Sequence, residues 1–339
     1  MKKPLKITII TVSVILALII AAISAFAILN KMGKTQFHEN DRNIKNKNVT
    51  EDEYGILYKG EKYELNDDVV SFLFIGVDKG DVRNSLGAGI NGQADTLLVV
   101  AINTKNKDVT VIPISRETLV DVDMYNIGGG YVGVEKKQIC LAYAYGKNTE
   151  ESSKNVLTSV SRVLYGINIS SYIAMDLSAL EKISNKVGYI EVYVNENYYD
   201  PDFNTYYKAG RTIKVKGKSA VNYIHWRTDD VDANNYRMER QKSFMTAFMN
   251  KAGNEISKNF SKVITYYNMM SPYVSTNISL SQTTYLASSC LKINLGDSLN
   301  YKSIPGKTFE RAGYSAFEPD EDELTGIIIE TFYKKISEK

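Results

Sequence analysis

The sequence predicts an α/β fold, a mixed central β-sheet covered by helices on both faces, with one N-terminal transmembrane helix. Three observations lead there. Val69–Val77 (VVSFLFIGV), Thr96–Ile102 (TLLVVAI) and Val109–Ile114 (VTVIPI) are continuous apolar runs rich in β-branched and aromatic residues, the pattern of strands buried on both faces. Downstream, helical and strand periodicities alternate, as they do when helices cover a sheet. Upstream, Ile7–Leu29 holds 23 residues without a charge, a proline or a glycine.

As a helix that last run would span about 35 Å, enough for a hydrocarbon core of about 30 Å. Lys2, Lys3 and Lys6 precede it, which predicts a cytoplasmic N-terminus (1–6), a membrane anchor (7–29) and an exported remainder. A cleaved signal peptide is the rival, because Ala25-Phe26-Ala27 resembles a small-residue cleavage site; the run exceeds the usual 7–15-residue apolar region of such peptides. Residues 30–68 are polar and charged and read as an extracellular stalk with one short strand at Gly55–Tyr58. Residues 69–339 contain no linker, repeat or low-complexity stretch and read as one folded unit.

Within that unit the strand ends matter. Asn103–Asp108 (NTKNKD) is a short polar connection between the second and third apolar runs, so those two form a hairpin. Asp95 begins one arm and Arg116 follows the end of the other, which places them side by side. If the first run pairs antiparallel with the second, Asp78 joins them, and two carboxylates meet one guanidinium at a sheet edge. Further on, Glu151–Tyr165 has helical spacing closed by Gly166. Ser171–Met175 and Tyr189–Val194 read as strands, and Leu177–Val187 and Lys218–His225 as helices. A longer helix covers about Asp232–Ala252. On it Arg237, Arg240, Gln241, Phe244 and Phe248 recur at three- and four-residue spacing and share a face.

Composition removes several classes of function. Lys plus Arg is 41 and Asp plus Glu 39, and with the five lysines of residues 1–34 set aside the balance is 36 basic to 39 acidic. No nucleic-acid partner is expected from such a chain. His38, Cys140, His225 and Cys290 are too scattered for a zinc site, and no G-x-S-x-G elbow occurs. Gly87-Ala88-Gly89-Ile90-Asn91-Gly92 fits G-x-G-x-x-G, but a strand follows it rather than a helix, so a flexible loop beside Asp78 and Asp95 is expected in place of a dinucleotide site. Asp78 and Asp95 suit either turn capping or Mg²⁺, a cation that keeps waters and takes substrate phosphate oxygens. The arginines singly suit salt bridges and as a cluster suit a pyrophosphate, which guanidinium grips in a bidentate fork. His225 reads as a packing residue. The pairs Tyr198-Tyr199 and Tyr206-Tyr207 fit sugar stacking or ordinary packing, and Cys140 and Cys290 fit a disulfide or two buried thiols.

The ordered blocks FLFIGVDKG, ADTLLVV, VIPISRETLVDV, ICLAYAYG and YIHWR…DANNYRMERQ, running from about Val69 to Gln241, resemble the LytR-CpsA-Psr family of cell-wall ligases. The later YVSTNISLSQTTYLASS and GYSAFEPDEDEL resemble the C-terminal part of its clostridial-type members. The resemblance implies a membrane-anchored extracellular enzyme of a Gram-positive-type bacterium. Such an enzyme moves a phosphoryl-linked glycopolymer from a polyprenyl-pyrophosphate carrier to peptidoglycan, the carrier's tail lying in an apolar tunnel. It further implies Mg²⁺ held by Asp78 and Asp95, catalysis by Asp95, Asp78 and Arg116, and pyrophosphate binding by Arg116, Arg227, Arg237, Arg240 and Gln241. Asp95 is the preferred acceptor of the proton from the attacking sugar hydroxyl.

The chain departs from the family pattern at several of these blocks. Gln93-Ala94 stands where the family has Arg-Ser before its aspartate, Glu117 where it has Asp, and His225 where the first arginine of R-x-R falls. Gly80 takes the place of another arginine, for which Arg83 is a candidate substitute. Two other readings therefore stand beside the ligase: an enzyme that only cleaves polyprenyl pyrophosphate, and a non-catalytic envelope protein that binds lipid-linked precursors.

Overall fold

The computed structural model describes residues 26–37, 49–52, 55–78, 87–226, 233–290 and 299–336. In chain order the strands are β1 (Thr50–Asp52), β2 (Gly55–Tyr58), β3 (Glu61–Leu65), β4 (Val69–Asp78), β5 (Gln93–Asn103), β6 (Asp108–Ile114), β7 (Leu119–Tyr125), β8 (Tyr131–Gln138) and β9 (Tyr172–Asp176). They continue as β10 (Ile190–Val194), β11 (Tyr198–Asp200), β12 (Thr205–Tyr207), β13 (Arg211–Val215), β14 (Ser275–Thr276), β15 (Leu299–Tyr301), β16 (Gly306–Arg311), β17 (Tyr314–Pro319) and β18 (Tyr333–Lys335). The helices are α1 (within 26–37), α2 (Thr149–Val163), α3 (Leu177–Val187), α4 (Lys218–His225), α5 (Ala233–Lys258), α6 (Lys262–Met270), α7 (Leu280–Cys290) and α8 (Glu321–Phe332).

The three apolar runs form the centre of a six-stranded mixed sheet in the order β14-β9-β4-β5-β6-β15. β5 pairs antiparallel with both β4 and β6, whereas β9 runs parallel to β4. Alternate residues feed two cores. Leu73, Ile75, Leu97, Val99 and Ile112 pack with Val156 and Val160 of α2 and Leu324 and Ile328 of α8. Val70, Leu98, Val100 and Val111 pack on the other face with Tyr285 of α7, Phe37 of α1 and Met245 and Met249 of α5. Each such side chain contributes about 1.5–3 kcal/mol when fully buried, which is why these strands tolerate apolar residues at every position.

One irregularity shapes the site. Gly76 pairs with Thr96, but the next residue, Val77, pairs with Ala94. Asp95 is thus the extra residue of a β-bulge, a device that bends a strand and re-aims a side chain. Ala94 turns into the first core, and Asp95 joins Thr96 on the opposite face, where both line a pocket. Gly76 lets the strands approach there, since a Cβ on it would lie 2.9 Å from the Thr96 Cβ.

Two regions differ from the sequence reading. The stretch taken as a stalk is partly folded: β1, β2 and β3 form a four-stranded antiparallel sheet with the C-terminal β18, and Ile56 and Tyr58 are buried in the main core. Its polar composition hid a period-2 strand whose partner lies at the other end of the chain. Residues 26–37, at the end of the proposed membrane span and the start of the stalk, form a helix packed on α7, with Gly33 close against the Ser281 carbonyl. No described helix is long and apolar enough to cross a membrane; residues 7–25 of the expected anchor lie outside the described residues.

Candidate functional site

β4 ends and β5 begins at the same sheet edge, and the chain leaving β6 turns there too. Asp78 pairs in register with Gln93. Arg116, two residues beyond β6, forms an ion pair through one terminal nitrogen with the Asp95 carboxylate at 2.6 Å and donates from the other to Gln93 Oε1 at 2.5 Å. The Cys140 sulfur lies 3.8 Å from the same guanidinium. Gln93 thus occupies the place of a family arginine and orients Arg116 through a hydrogen bond. The Arg116 segment is held from outside by the β16–β17 hairpin: Phe317 N–H donates to the Glu117 carbonyl at 2.9 Å, and Ser315 Oγ donates to the Glu117 carboxylate at 2.9 Å. The sequence reading found no role for that hairpin.

Behind the edge lies a pocket of about 260 Å³ with a charged mouth and an apolar interior. Asp78, Asp95, His225, Arg237 and Gln241 line the mouth side; Phe74, Leu98, Met175, Phe244 and Phe248 line the rest. A larger apolar cavity of about 750 Å³ adjoins it, the two sharing Phe72, Ile173, Phe248, Met249 and Met270 as wall residues. α5 supplies a wall throughout, because its Arg237/Gln241/Phe244/Phe248 stripe faces inward as the spacing predicted. His225 is exposed at the mouth, not packed away. Asp176 was overlooked by sequence reasoning. It pairs in register with Val77 beside Asp78, caps α3 by accepting from Ala179 N–H at 2.8 Å, and lines the same pocket. A strand ending in Asp immediately before a helix was the available signal.

The arginines expected to bind pyrophosphate separate. Arg237 reaches the pocket. Arg240 faces away from it and is almost wholly buried. Its Nε donates to the Tyr223 carbonyl at 2.8 Å and one terminal nitrogen to the Trp226 carbonyl, while the other forms an ion pair with the Glu196 carboxylate and the guanidinium lies over the Trp226 ring. Burial pulls its pKa down to about 10, which leaves it charged at neutral pH. With about 100° per helix residue Arg240 stands about 60° from Arg237 and about 100° from Gln241, at the edge of the pocket-facing stripe, where Glu196, Tyr223 and Trp226 claim its guanidinium. Arg227, Arg83, Gly80 and Asp232 lie outside the described residues.

Other sequence expectations resolve differently. The Gly87–Gly92 turn is pinned rather than loose: Gly89 N–H donates to the Ala144 carbonyl at 2.6 Å, and buried Asn91 Nδ2 donates to the Gly146 carbonyl at 2.5 Å. Cys140 and Cys290 are free thiols with no disulfide. Burial raises the Cys140 pKa, and the adjacent Arg116 opposes that shift. Tyr198 and Tyr207 stack on one another at 5.7 Å and serve packing, whereas Tyr199 and Tyr206 are exposed.

Among the described residues no three His, Cys, Asp or Glu side chains gather closely enough to hold a metal. The donor set at the mouth still fits Mg²⁺, because that ion is ordinarily held by one or two carboxylates with water and substrate phosphates completing its shell. Asp78 and Asp95 would be those two.

The class these features define is a mixed α/β protein, a sheet between helix layers, with carboxylates and arginines gathered at one sheet edge beside an apolar pocket. The LytR_cpsA_psr family model matches residues 26–331, and the chain belongs to that family. It is 27% identical over 249 residues to the polyisoprenyl-teichoic acid–peptidoglycan teichoic acid transferase TagV of Bacillus subtilis, covering 69% of this chain and 58% of TagV. With TagU of Enterococcus faecalis, named for the same transfer, identity is 25% over 288 residues, covering 81% and 83%. The crystal structure of B. subtilis TagV superposes with a TM-score of 0.62 at 24% identity, covering 78% of this chain and 97% of that one. A structure of TagT bound to LI-WTA gives 0.57 at 20% identity, covering 78% and 89%. These superpositions establish the shared fold.

Proposed function

We propose that this protein transfers a phosphoryl-linked glycopolymer from a polyprenyl-pyrophosphate carrier onto peptidoglycan, at the outer face of a membrane to which Ile7–Leu29 anchors it. The observation that carries this reading is a pocket with a charged mouth backed by an adjoining apolar cavity, which together would make an apolar passage. The mouth suits a pyrophosphate and the passage suits the hydrocarbon tail attached to it. The transfer for which TagV and TagU are named supports the same reaction.

In this reaction a sugar hydroxyl of the acceptor attacks the phosphorus that carries the glycopolymer. The bond from that phosphorus to the bridging oxygen breaks, and polyprenyl monophosphate leaves with the bond's electron pair. Arg116 and Arg237 stabilise the charge that develops on the phosphoryl oxygens. Asp95 accepts the hydroxyl proton, and the bulge at Asp95 aims its carboxylate into the pocket where that proton is released. Mg²⁺, when held by Asp78 and Asp95, would supply further neutralisation of the pyrophosphate. Gln93 keeps Arg116 turned toward Asp95.

The test combines the chain with a polyprenyl-pyrophosphate-linked glycan and peptidoglycan fragments, with and without Mg²⁺, and reads both products by mass spectrometry. A phosphoglycan adduct on peptidoglycan, lost in Asp95→Ala, is the expected result. Polyprenyl monophosphate without an adduct would replace transfer with pyrophosphate cleavage, and binding without turnover would replace it with a precursor-binding role.

A further inference from the structure

The larger apolar cavity has an opening of its own. It reaches the surface at Gly253, Asn254 and Ser257 near the C-terminus of α5, against Val263 and Tyr267 of α6. From Arg237 at the charged mouth to Ser257 at this far opening, α5 rises about 30 Å.

α1 arrives at the same corner. The Phe26 and Phe260 rings meet edge to face at 5.4 Å, and the Asn30 and Gln36 side-chain oxygens accept hydrogen bonds from Ser288 of α7 and from Ser279 just before it. Phe26, Ile28 and Met32 on α1 and Ile264 on α6 are exposed there, Ile28 by 57% and Ile264 by 52%. Scattered singly they would need no explanation; gathered around the mouth of an apolar passage they make a patch. Lys31 and Lys34 on α1 and Lys258 at the end of α5 stand exposed, and Lys262 is partly exposed beside Glu255 at 3.8 Å. The uncharged apolar sequence Ile7–Ala25 leads directly into this corner at Phe26.

We infer that this corner docks on an anionic lipid surface, so that the far mouth of the passage opens onto the bilayer and the charged mouth stands about 30 Å above it. Apolar side chains enter the interface there, and the lysines extend their stems along it with the ammonium groups at headgroup level. An anionic bilayer is favoured over a protein partner because the apolar sequence entering at Phe26, the lysine surround and the passage mouth share one face. The use of this face, to pass a tail between bilayer and passage without crossing water, rests on the lipid-linked reading above. The docking itself does not.

The test uses the full chain reconstituted in vesicles of phosphatidylcholine and phosphatidylglycerol, with Cys140→Ala and Cys290→Ala and a bimane label on Ile264→Cys or, for comparison, Tyr206→Cys. The 264 label should be quenched by doxyl lipids and shielded from iodide, and the 206 label the reverse. A 264 label as open to iodide as the 206 label overturns the inference; shielding from both quenchers overturns it in favour of a protein partner. In a second arm, Lys258→Glu with Lys262→Glu should slow turnover of a long-tailed carrier in these vesicles by about fivefold or more, leaving a short-tailed, water-soluble carrier unaffected. Equal loss on both, or loss on neither, counts against docking. A chain that turns over neither carrier overturns the proposed reaction, and the quenching then decides docking alone.

Discussion

Asp95 and Arg116 meet at 2.6 Å across the open end of the β5–β6 hairpin, and they do so because Asp95 is the extra residue of a bulge. In a regular β5 the period-2 alternation would send its carboxylate into the apolar core that contains Ala94, Leu97 and Val99. The bulge turns it to the pocket face. The pair is then about a quarter exposed on each side, sheltered enough to hold its geometry and open enough to reach a substrate.

Asp95→Asn and Arg116→Ala should therefore lower transfer by about 10²–10³, the usual loss when one charge-stabilising group is removed. Stability should fall by only about 1 kcal/mol or less, since part-exposed pairs contribute little. Product mass spectrometry and thermal melting on the same samples check both halves. A large fall in melting temperature would make the pair structural.

Arg240 should behave in the opposite way. Removing it strands the Glu196 carboxylate and two backbone carbonyls, so Arg240→Ala is expected to cost about 3–5 kcal/mol in denaturant unfolding. The double change Arg240→Met with Glu196→Leu should recover most of that loss. A stable but inactive Arg240→Ala would instead return this residue to the pyrophosphate.

How much of this was legible beforehand follows from which forces are local. β4, β5 and β6 announced themselves because strands buried on both faces are apolar throughout, and the hairpin turn then fixed where Asp78, Asp95 and Arg116 gather. Leu177–Val187 and Lys218–His225 were readable from periodicity alone. The bulge was not, because it depends on Gly76 and Thr96 approaching across two strands. The β3–β18 pairing joins residues at opposite ends of the fold. Arg240 carried the same helical spacing as Gln241, and only the Glu196, Tyr223 and Trp226 positions show that its charge is spent inside the protein.

The wall shared by the two cavities offers a direct test of a passage between them. Met249 lines both, and Met249→Trp would fill the connection at an overpacking cost of about 1–3 kcal/mol. Long-tailed carriers should then lose turnover by about tenfold or more, through a higher KM, while short-tailed carriers stay close to wild type. Equal loss on both would mean that the charged mouth, not the connection, was disturbed.

Cys290 gives an independent reading from the passage wall. It is a free thiol lining the larger cavity, and its apolar surroundings push its pKa from the usual 9.0 up to about 11. A group whose pKa is raised on folding contributes stability that is complete below the unfolded value and is lost as pH climbs through the folded one. The wild-type chain should therefore lose stability relative to Cys290→Ala between about pH 9 and 11, and not below that window. At pH 8 the thiol is protonated and should react slowly with charged reagents, while a small neutral mercurial enters through the passage. Saturating polyprenyl phosphate should block that entry, and an unchanged modification rate in its presence would show that the tail does not occupy the cavity Cys290 lines.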